Sequence, residues 1–168
     1  DERNSLVGSE MCIRDSIQYS PSTPNVWENP ILLVPPCINK FYILDLEPKQ
    51  SFVKHAVDRG FSVFLISWRN VTTEQANVDW DDYVQAVLNA HQIVQNITQT
   101  TAVHQVGFCV GGTLLTSAAA VLAHQQRESE IASLTLLTTL LDFSHPGVLG
   151  IFADDKSMEW QGLMNRSN

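Results

Sequence analysis

Basic residues are scarce in this sequence of 168 amino acids. Lys and Arg number 10 against 18 Asp and Glu, and the formal net charge is −8. The basic residues form no cluster that could follow a phosphate backbone, so we expect no nucleic-acid partner. The apolar runs are too short for a membrane span, and no secretory signal pattern opens the sequence. These absences predict a cytoplasmic protein.

Cysteine is also rare. The three residues, Cys12, Cys37 and Cys109, have neither disulfide nor zinc-ligand spacing, which is typical of a protein in a reducing compartment and predicts no metal site. The composition is 44% hydrophobic and 17% charged, which is enough apolar material for the core of one globular domain.

Apolar runs alternate with amphipathic stretches along the chain. The runs predict strands at 31–34, 61–67, 103–108 and 134–139. The stretches predict helices at 51–59, 79–97 and 112–126. Asp79, with Asp82 three residues further on, is predicted to cap the second helix. This alternation favours an α/β fold with a mostly parallel sheet and helices on both faces. Residues 1–16 lack any such pattern, and we interpret them as a foreign or disordered leader.

A cysteine between two glycines stands where the third strand meets the third helix. Gly107 and Gly111 lie two residues before and two residues after Cys109. A sharp strand-to-helix turn lifts its central side chain clear of the backbone and requires neighbours without a Cβ. Cys109 is therefore a candidate nucleophile. The alternative is that Cys109 is a small apolar residue of the core.

Four segments, in this order and at these spacings, resemble the polyhydroxyalkanoate synthases of class I. They are residues 35–46 (PPCINKFYILDL), 67–70 (SWRN), 107–113 (GFCVGGT) and 136–143 (LLTTLLDF). The resemblance extends over residues 17–154. It implies a partial α/β-hydrolase core at 17–143, truncated before the last strands, and the start of a cap region at 144–168.

Synthases of this family are cytoplasmic, granule-associated acyltransferases. They move the acyl group of a 3-hydroxyacyl-CoA onto a cysteine as a thioester and release CoA as the polyester grows. The resemblance implies that Cys109 carries the acyl group and that no cofactor is needed beyond the CoA carried by the substrate. It also implies two partners, the polyester granule surface and, at full length, a second copy of the protein.

The resemblance further implies an oxyanion hole made of two backbone N–H groups. One belongs to Val110, the residue after the nucleophile. The other comes from the loop after strand 31–34, where Pro35 and Pro36 have no N–H and Cys37 is the first residue able to donate. The side chain of Cys37 is equally open to a packing role.

The family completes its site with an Asp and a His on loops after two later strands. This implies that both lie beyond residue 168 and that the present chain is an inactive fragment by itself. A local triad of Asp142 and His145 with Cys109 is disfavoured, because a His three residues from the acid cannot approach the sulfur from the opposite side.

The roles expected of other polar residues are less specific. Lys40 and Arg69 are candidates to contact CoA phosphates, although an ion pair with an acid such as Asp45 is favoured. Surface or packing roles are predicted for four histidines, His55, His91, His104 and His124.

Two other functions stay open. Cysteine-dependent hydrolases, such as dienelactone hydrolases and thioesterases, also use a Gly-x-Cys-x-Gly turn, but they lack the segments at 35–46 and 136–143. A granule-associated or scaffold protein could retain the fold without chemistry.

Overall fold

A six-stranded sheet is the centre of the structure over the residues described. The computed structural model describes residues 3–6, 13–38, 40–147 and 150. The strands are β1 (Arg3–Leu6), β2 (Arg14–Tyr19), β3 (Ile31–Val34), β4 (Val63–Trp68), β5 (Val103–Phe108) and β6 (Ile131–Leu137). Their order is β1-β2-β4-β3-β5-β6. Strands β4, β3, β5 and β6 are parallel, whereas β1 and β2 are antiparallel to their neighbours. The predicted mostly parallel sheet is confirmed.

Helices cover both faces of this sheet. They are α1 (Phe52–Val57), α2 (Trp80–Thr98) and α3 (Val110–His124), with short 3₁₀ turns at Phe41–Leu44, Thr73–Gln75 and Glu128–Glu130. Because successive side chains of a strand point to opposite faces, β3 contributes to two cores. Leu32 belongs to the cluster that includes Val87 of α2 and Leu114 of α3. Leu33 belongs to the cluster that includes Val53 of α1.

The start of α2 follows from two acidic residues. The backbone N–H of Asp82 donates to the side chain of Asp79 at 3.1 Å, and that of Asp79 donates to the side chain of Asp82 at 3.0 Å. This capping box satisfies two N–H groups at the helix start and places negative charge at the positive end of the helix dipole. The predicted cap at Asp79 is confirmed.

The predicted boundary between a leader and the core, at residues 16 and 17, falls inside β2. Arg14 is only 5% exposed, and its guanidinium donates from Nε to the carbonyl oxygen of Ala86 at 2.8 Å and from Nη1 to Ser16 Oγ at 2.6 Å. The buried face of β2 is thus partly polar, so the strand has no apolar periodicity to recognise. Residues 1–2, 7–12, 148–149 and 151–168 lie outside the described residues, and with them most of the region assigned to the cap.

Strand β6 begins three residues earlier than predicted and ends two residues earlier. Its first residue, Ile131, pairs with Val103, and the strand ends where Thr138 adopts a φ of 49°. Ala132 and Ser133 interrupt the apolar run on which the prediction depended. Helix α3 also begins earlier than predicted, because the glycine pair at 111–112 lies in its first turn.

Candidate active site

Cys109 lies on a strained turn between β5 and α3. Its backbone has φ 53° and ψ −127°, an angle pair that residues with a Cβ rarely adopt. Two hydrogen bonds hold this conformation. The N–H of Cys109 donates to the carbonyl of Leu137 in β6 at 2.9 Å, and the carbonyl of Cys109 accepts from the N–H of Gly112 at 2.9 Å. The predicted strand, turn and helix around Cys109 are confirmed.

The two glycines flanking Cys109 are sterically required. A Cβ on Gly107 would lie 2.9 Å from the backbone nitrogen of Gly112, and closer still to its Cα. A Cβ on Gly111 would lie 2.5 Å from the carbonyl oxygen of Pro35, and closer still to that of Val34. The first contact is within the turn, whereas the second joins the turn to the loop after β3.

The loop after β3 reaches Cys109 because β3 and β5 are neighbours. Val34 is in register with Gly107, so both strands end at the same edge of the sheet. Pro35 and Pro36 are buried and Cys37 is half-buried. Cys37 packs against the core cluster beneath α2 and α3, which also contacts Tyr83. The topology therefore brings the predicted residues Cys37, Cys109 and Val110 to one edge of the sheet.

The two cysteines of this edge interact electrostatically. Burial raises the pKa of the Cys37 thiol, its own backbone N–H partly opposes this, and negative charge on Cys109 adds to the increase. Burial also raises the pKa of Tyr83, with a further contribution from charge on Cys37. Cys37 is therefore held as a neutral thiol at neutral pH, which suits a packing side chain and not a second nucleophile.

One of the two predicted oxyanion donors, Val110, occupies a position from which its backbone N–H can bind an external group. Val110 is the first residue of α3, and the first N–H groups of a helix have no acceptor within it. Cys37 follows two prolines that cannot donate. Their joint role as an oxyanion hole stays a prediction.

Asp142 and His145 are both exposed, and Asp142 is engaged locally. Its Oδ1 accepts from the backbone N–H of Ser144 at 2.9 Å and from the hydroxyl of Ser144 at 2.6 Å. These bonds lower the pKa of Asp142 and make it the first residue of a small turn. This geometry is that of a turn-forming aspartate and provides no argument for a local triad.

Lys40 has a partner other than those expected, and Arg69 is held through its backbone. Lys40 donates to the side-chain oxygen of Asn70, which joins the loops after β3 and β4. The backbone N–H of Arg69 donates to the carbonyl of Ile13 at 2.9 Å. Asp45, the acid considered for an ion pair with these residues, accepts from Tyr19 at 2.9 Å and from Ser51 at 2.7 Å.

Sequence reasoning gave no role to Trp68, the last residue of β4. Its indole N–H donates to the carbonyl oxygen of Pro35 at 2.8 Å, in a buried position. Its ring lies 5.3 Å from that of Tyr83 between centroids. The only signal in the sequence is its place in the segment 67–70, directly after an apolar run.

A cavity of about 390 Å³ lies apart from the edge of the sheet at which Cys109 lies. Its walls are the segments 19–22 and 45–48 and helix α1, and its charged lining residues are Asp45, Glu47, Lys54 and Asp58. Cys109 is not among the residues that line it, so the cavity is separate from the candidate active site.

Comparison with known proteins agrees with the motifs. Residues 7–56 match the family model described as the N-terminus of poly-beta-hydroxybutyrate polymerase (PhaC). The chain is 49% identical over 140 residues to the poly(3-hydroxyalkanoate) polymerase subunit PhaC of Cupriavidus necator, covering 83% of this chain and 24% of that protein. It is 46% identical over 140 residues to the subunit PhaC of Rhizobium meliloti, covering 83% of this chain and 23% of that protein.

The chain is a homologue of the poly(3-hydroxyalkanoate) polymerases. The resemblance expected from the four segments is thus confirmed, and the chain spans about a quarter of the length of the two relatives. The family match begins at residue 7, before the boundary predicted for the core.

Solved structures support the fold. An alpha-beta serine hydrolase homologue from Coxiella burnetii superposes with a TM-score of 0.59 at 15% identity, covering 86% of this chain and 65% of that one. This likeness confirms the partial α/β-hydrolase fold and says nothing of the reaction. No helix among the described residues combines the length and apolar character needed to cross a bilayer.

Proposed function

We propose that the protein containing this chain polymerises 3-hydroxyacyl-CoA into polyhydroxyalkanoate, with Cys109 as the nucleophile. The observation that carries the proposal is the turn at Cys109. A non-glycine residue with φ 53° is held between two glycines that tolerate no Cβ, in a chain homologous to polymerases of this polyester. Strain of this kind is retained where the surrounding structure enforces it, and it occurs most often at active sites.

The proposed reaction begins with acyl transfer to sulfur. The thiolate of Cys109 attacks the thioester carbonyl, and the oxygen of the tetrahedral intermediate accepts hydrogen bonds from the N–H groups of Val110 and Cys37. The bond from carbon to the CoA sulfur then breaks, so that a thioester to Cys109 replaces the thioester to CoA. The proton of the Cys109 thiol passes to a general base and then to the departing CoA. By the resemblance, that base is a histidine outside this chain.

Ester formation completes the cycle. The 3-hydroxyl of another 3-hydroxyacyl group attacks the acyl group on Cys109, loses its proton to the base and displaces the cysteine sulfur. Exchange of one thioester for another is close to balanced, so formation of the more stable oxygen ester gives the sequence its direction. CoA acts only as the leaving group, and the proposed reaction needs no other cofactor.

Exposed apolar side chains on the segment 35–46 support contact with an apolar product. Ile38, next to Cys37, is 74% exposed, and Leu46, where the segment reaches the separate cavity, is 56% exposed. A polyester chain or granule surface is apolar and would cover such residues. Association of the complete protein with the granule, and its dimerisation, belong to this proposal.

The test of the proposed function uses the complete gene product with 3-hydroxybutyryl-CoA. We expect CoA release accompanied by polymer, and a loss of CoA release to background in Cys109→Ala. The melting curve of Cys109→Ala checks that the variant folds. Undiminished CoA release by Cys109→Ala would show that the sulfur is idle. Release of free 3-hydroxybutyrate without polymer would instead favour a cysteine-dependent hydrolase.

A further inference from the structure

Trp68 connects β4 to the loop that carries the proposed oxyanion donor. Its indole N–H donates to the Pro35 carbonyl at 2.8 Å, and the tryptophan side chain itself is 9% exposed. A buried hydrogen bond of this kind is costly to break, because the carbonyl would be left without water or another donor. The orientation of the Pro35 carbonyl is therefore set by β4.

The Pro35 carbonyl and the N–H of Cys37 are connected by few rotatable backbone bonds. The intervening residue is Pro36, whose ring fixes φ near −65°. The described peptide bonds are all trans, so the bonds on either side of Pro36 do not rotate. One torsion, the ψ angle of Pro36, is then left between the anchored carbonyl and the N–H of Cys37. An anchor at Pro35 thus acts almost directly on the direction of that N–H.

The same loop is restrained on two other sides. The carbonyl oxygens of Val34 and Pro35 lie against the Cα of Gly111, next to the nucleophile. Cys37 and Tyr83 both pack against the core cluster that includes Trp68, and the Tyr83 ring contacts that of Trp68. The indole, the glycine and the tyrosine therefore surround a segment of three residues.

We propose that Trp68 is a positioning residue for acyl transfer, which holds the Cys37 N–H in the orientation needed to bind the oxyanion formed at Cys109. The proposal rests on the function proposed above. Trp68 touches neither the substrate nor the reacting sulfur in this mechanism and acts through Pro35.

The test compares two reactions of Cys109 in the complete gene product. Acylation by 3-hydroxybutyryl-CoA passes through an oxyanion, whereas alkylation by iodoacetamide is a displacement at a saturated carbon and forms none. Trp68→Phe removes the indole N–H and keeps an aromatic ring. We expect single-turnover acylation to fall about 10- to 100-fold, because misplacing one oxyanion donor has effects of this order. Alkylation of Cys109, followed by mass spectrometry, should stay within about 2-fold of the wild type, since it needs only the thiolate.

Trp27→Phe is the matched control. Trp27 also donates its indole N–H to a backbone carbonyl, that of Arg59 at 2.9 Å, but it is 63% exposed and belongs to no part of the site. Neither reaction should change in this variant. Equal losses of acylation and alkylation in Trp68→Phe, or acylation at the wild-type rate, would overturn the proposal.

A second substitution covers the case in which Trp68→Phe does not fold. Replacement of Trp68 by 3-benzothienylalanine keeps the size of the ring and exchanges only the N–H for sulfur. The same selective loss of acylation is expected. Unchanged acylation would overturn the role proposed for Trp68 without affecting the function proposed for Cys109. The function proposed for Cys109 fails by a different result, which is undiminished CoA release by Cys109→Ala.

Discussion

Gly111 is the residue at which the turn at Cys109 contacts the loop after β3. It lies in the first turn of α3, and its Cα faces the carbonyl oxygens of Val34 and Pro35 in the loop after β3. Helix propensity alone favours Ala over Gly by about 1 kcal/mol. Overpacking a close contact costs about 1–3 kcal/mol, and here the opposing atoms are backbone and cannot rotate away. The steric cost should therefore exceed the gain in propensity.

Gly111→Ala is accordingly expected to lower both stability and activity. Displacement of the loop would move the Cys37 N–H, and we expect CoA release by the complete gene product to fall about 10-fold or more. Thermal melting and steady-state assays with 3-hydroxybutyryl-CoA measure the two effects. Gly150→Ala is the control, because among the described residues a Cβ there meets only the Pro146 side chain, at 3.4 Å, an ordinary contact. Normal stability together with normal activity in Gly111→Ala would contradict the close contact between turn and loop.

At the scale of elements, a buried histidine joins α2 to β5 and to the turn before β6. His91 is 1% exposed, accepts at Nδ1 from the amide of Gln105 at 2.9 Å and lies 3.3 Å through Nε2 from Glu130. Because Nδ1 accepts, the proton of the neutral ring is on Nε2 and is donated to Glu130. Arg127 in turn binds Glu130 through two hydrogen bonds. The prediction of a packing role for His91 agrees with this placement.

This network predicts a pH dependence of stability. Burial lowers the pKa of His91, and the hydrogen bond with Glu130 opposes this only in part. The unfolded chain therefore takes up a proton at about pH 6.5, where the folded chain does not, and stability falls as the pH drops below that value. The hydrogen bonds of Arg127 lower the pKa of Glu130, so a further loss follows in the acidic range as that carboxylate is protonated.

Urea unfolding between pH 5 and pH 8 provides the measurement. We expect His91→Gln to be less stable at pH 8 and to lose less stability than the wild type on going to pH 5. His124→Gln, at the exposed end of α3, should retain the wild-type slope. An identical slope in His91→Gln would show that another group causes the pH dependence.

At the scale of the whole molecule, the sheet of the described residues ends at β6. This strand pairs with β5 on one side only, and Leu134 on it is 39% exposed. Leu141 and Phe143, shortly after the strand, are 52% and 62% exposed. An apolar edge with unpaired backbone groups is a template for pairing with another chain. The 168-residue chain should therefore self-associate when it is expressed by itself.

Light scattering coupled to size-exclusion chromatography tests this expectation. A lysine on the edge should weaken association, so Leu134→Lys is expected to shift the chain toward monomer. Ile97→Lys is the matched control, because Ile97 is 40% exposed but lies on α2. A monodisperse wild-type chain that melts cooperatively would contradict the prediction.

Elements whose defining residues lie close together in the chain could be predicted from the amino-acid sequence. The run at 103–108 and the glycines around Cys109 predicted β5 and the turn, because only a strand followed by a sharp bend needs this pattern. Asp79 and Asp82 predicted the start of α2, because a capping box lies within four residues. The family resemblance, and the α/β-hydrolase fold that it implies, followed from the segments 35–46, 67–70, 107–113 and 136–143, because each is a continuous run of sequence.

Features that depend on residues far apart in the chain became visible only in the folded protein. The place of Arg14 in β2 depends on a carbonyl 72 positions away, in α2. The bond from Trp68 to Pro35 joins residues 33 positions apart, and no periodicity in the sequence reports it. The start of β6 depends on pairing with β5 and not on its own composition. In each case the stabilising partner comes from another element, so the folded chain was needed to find it.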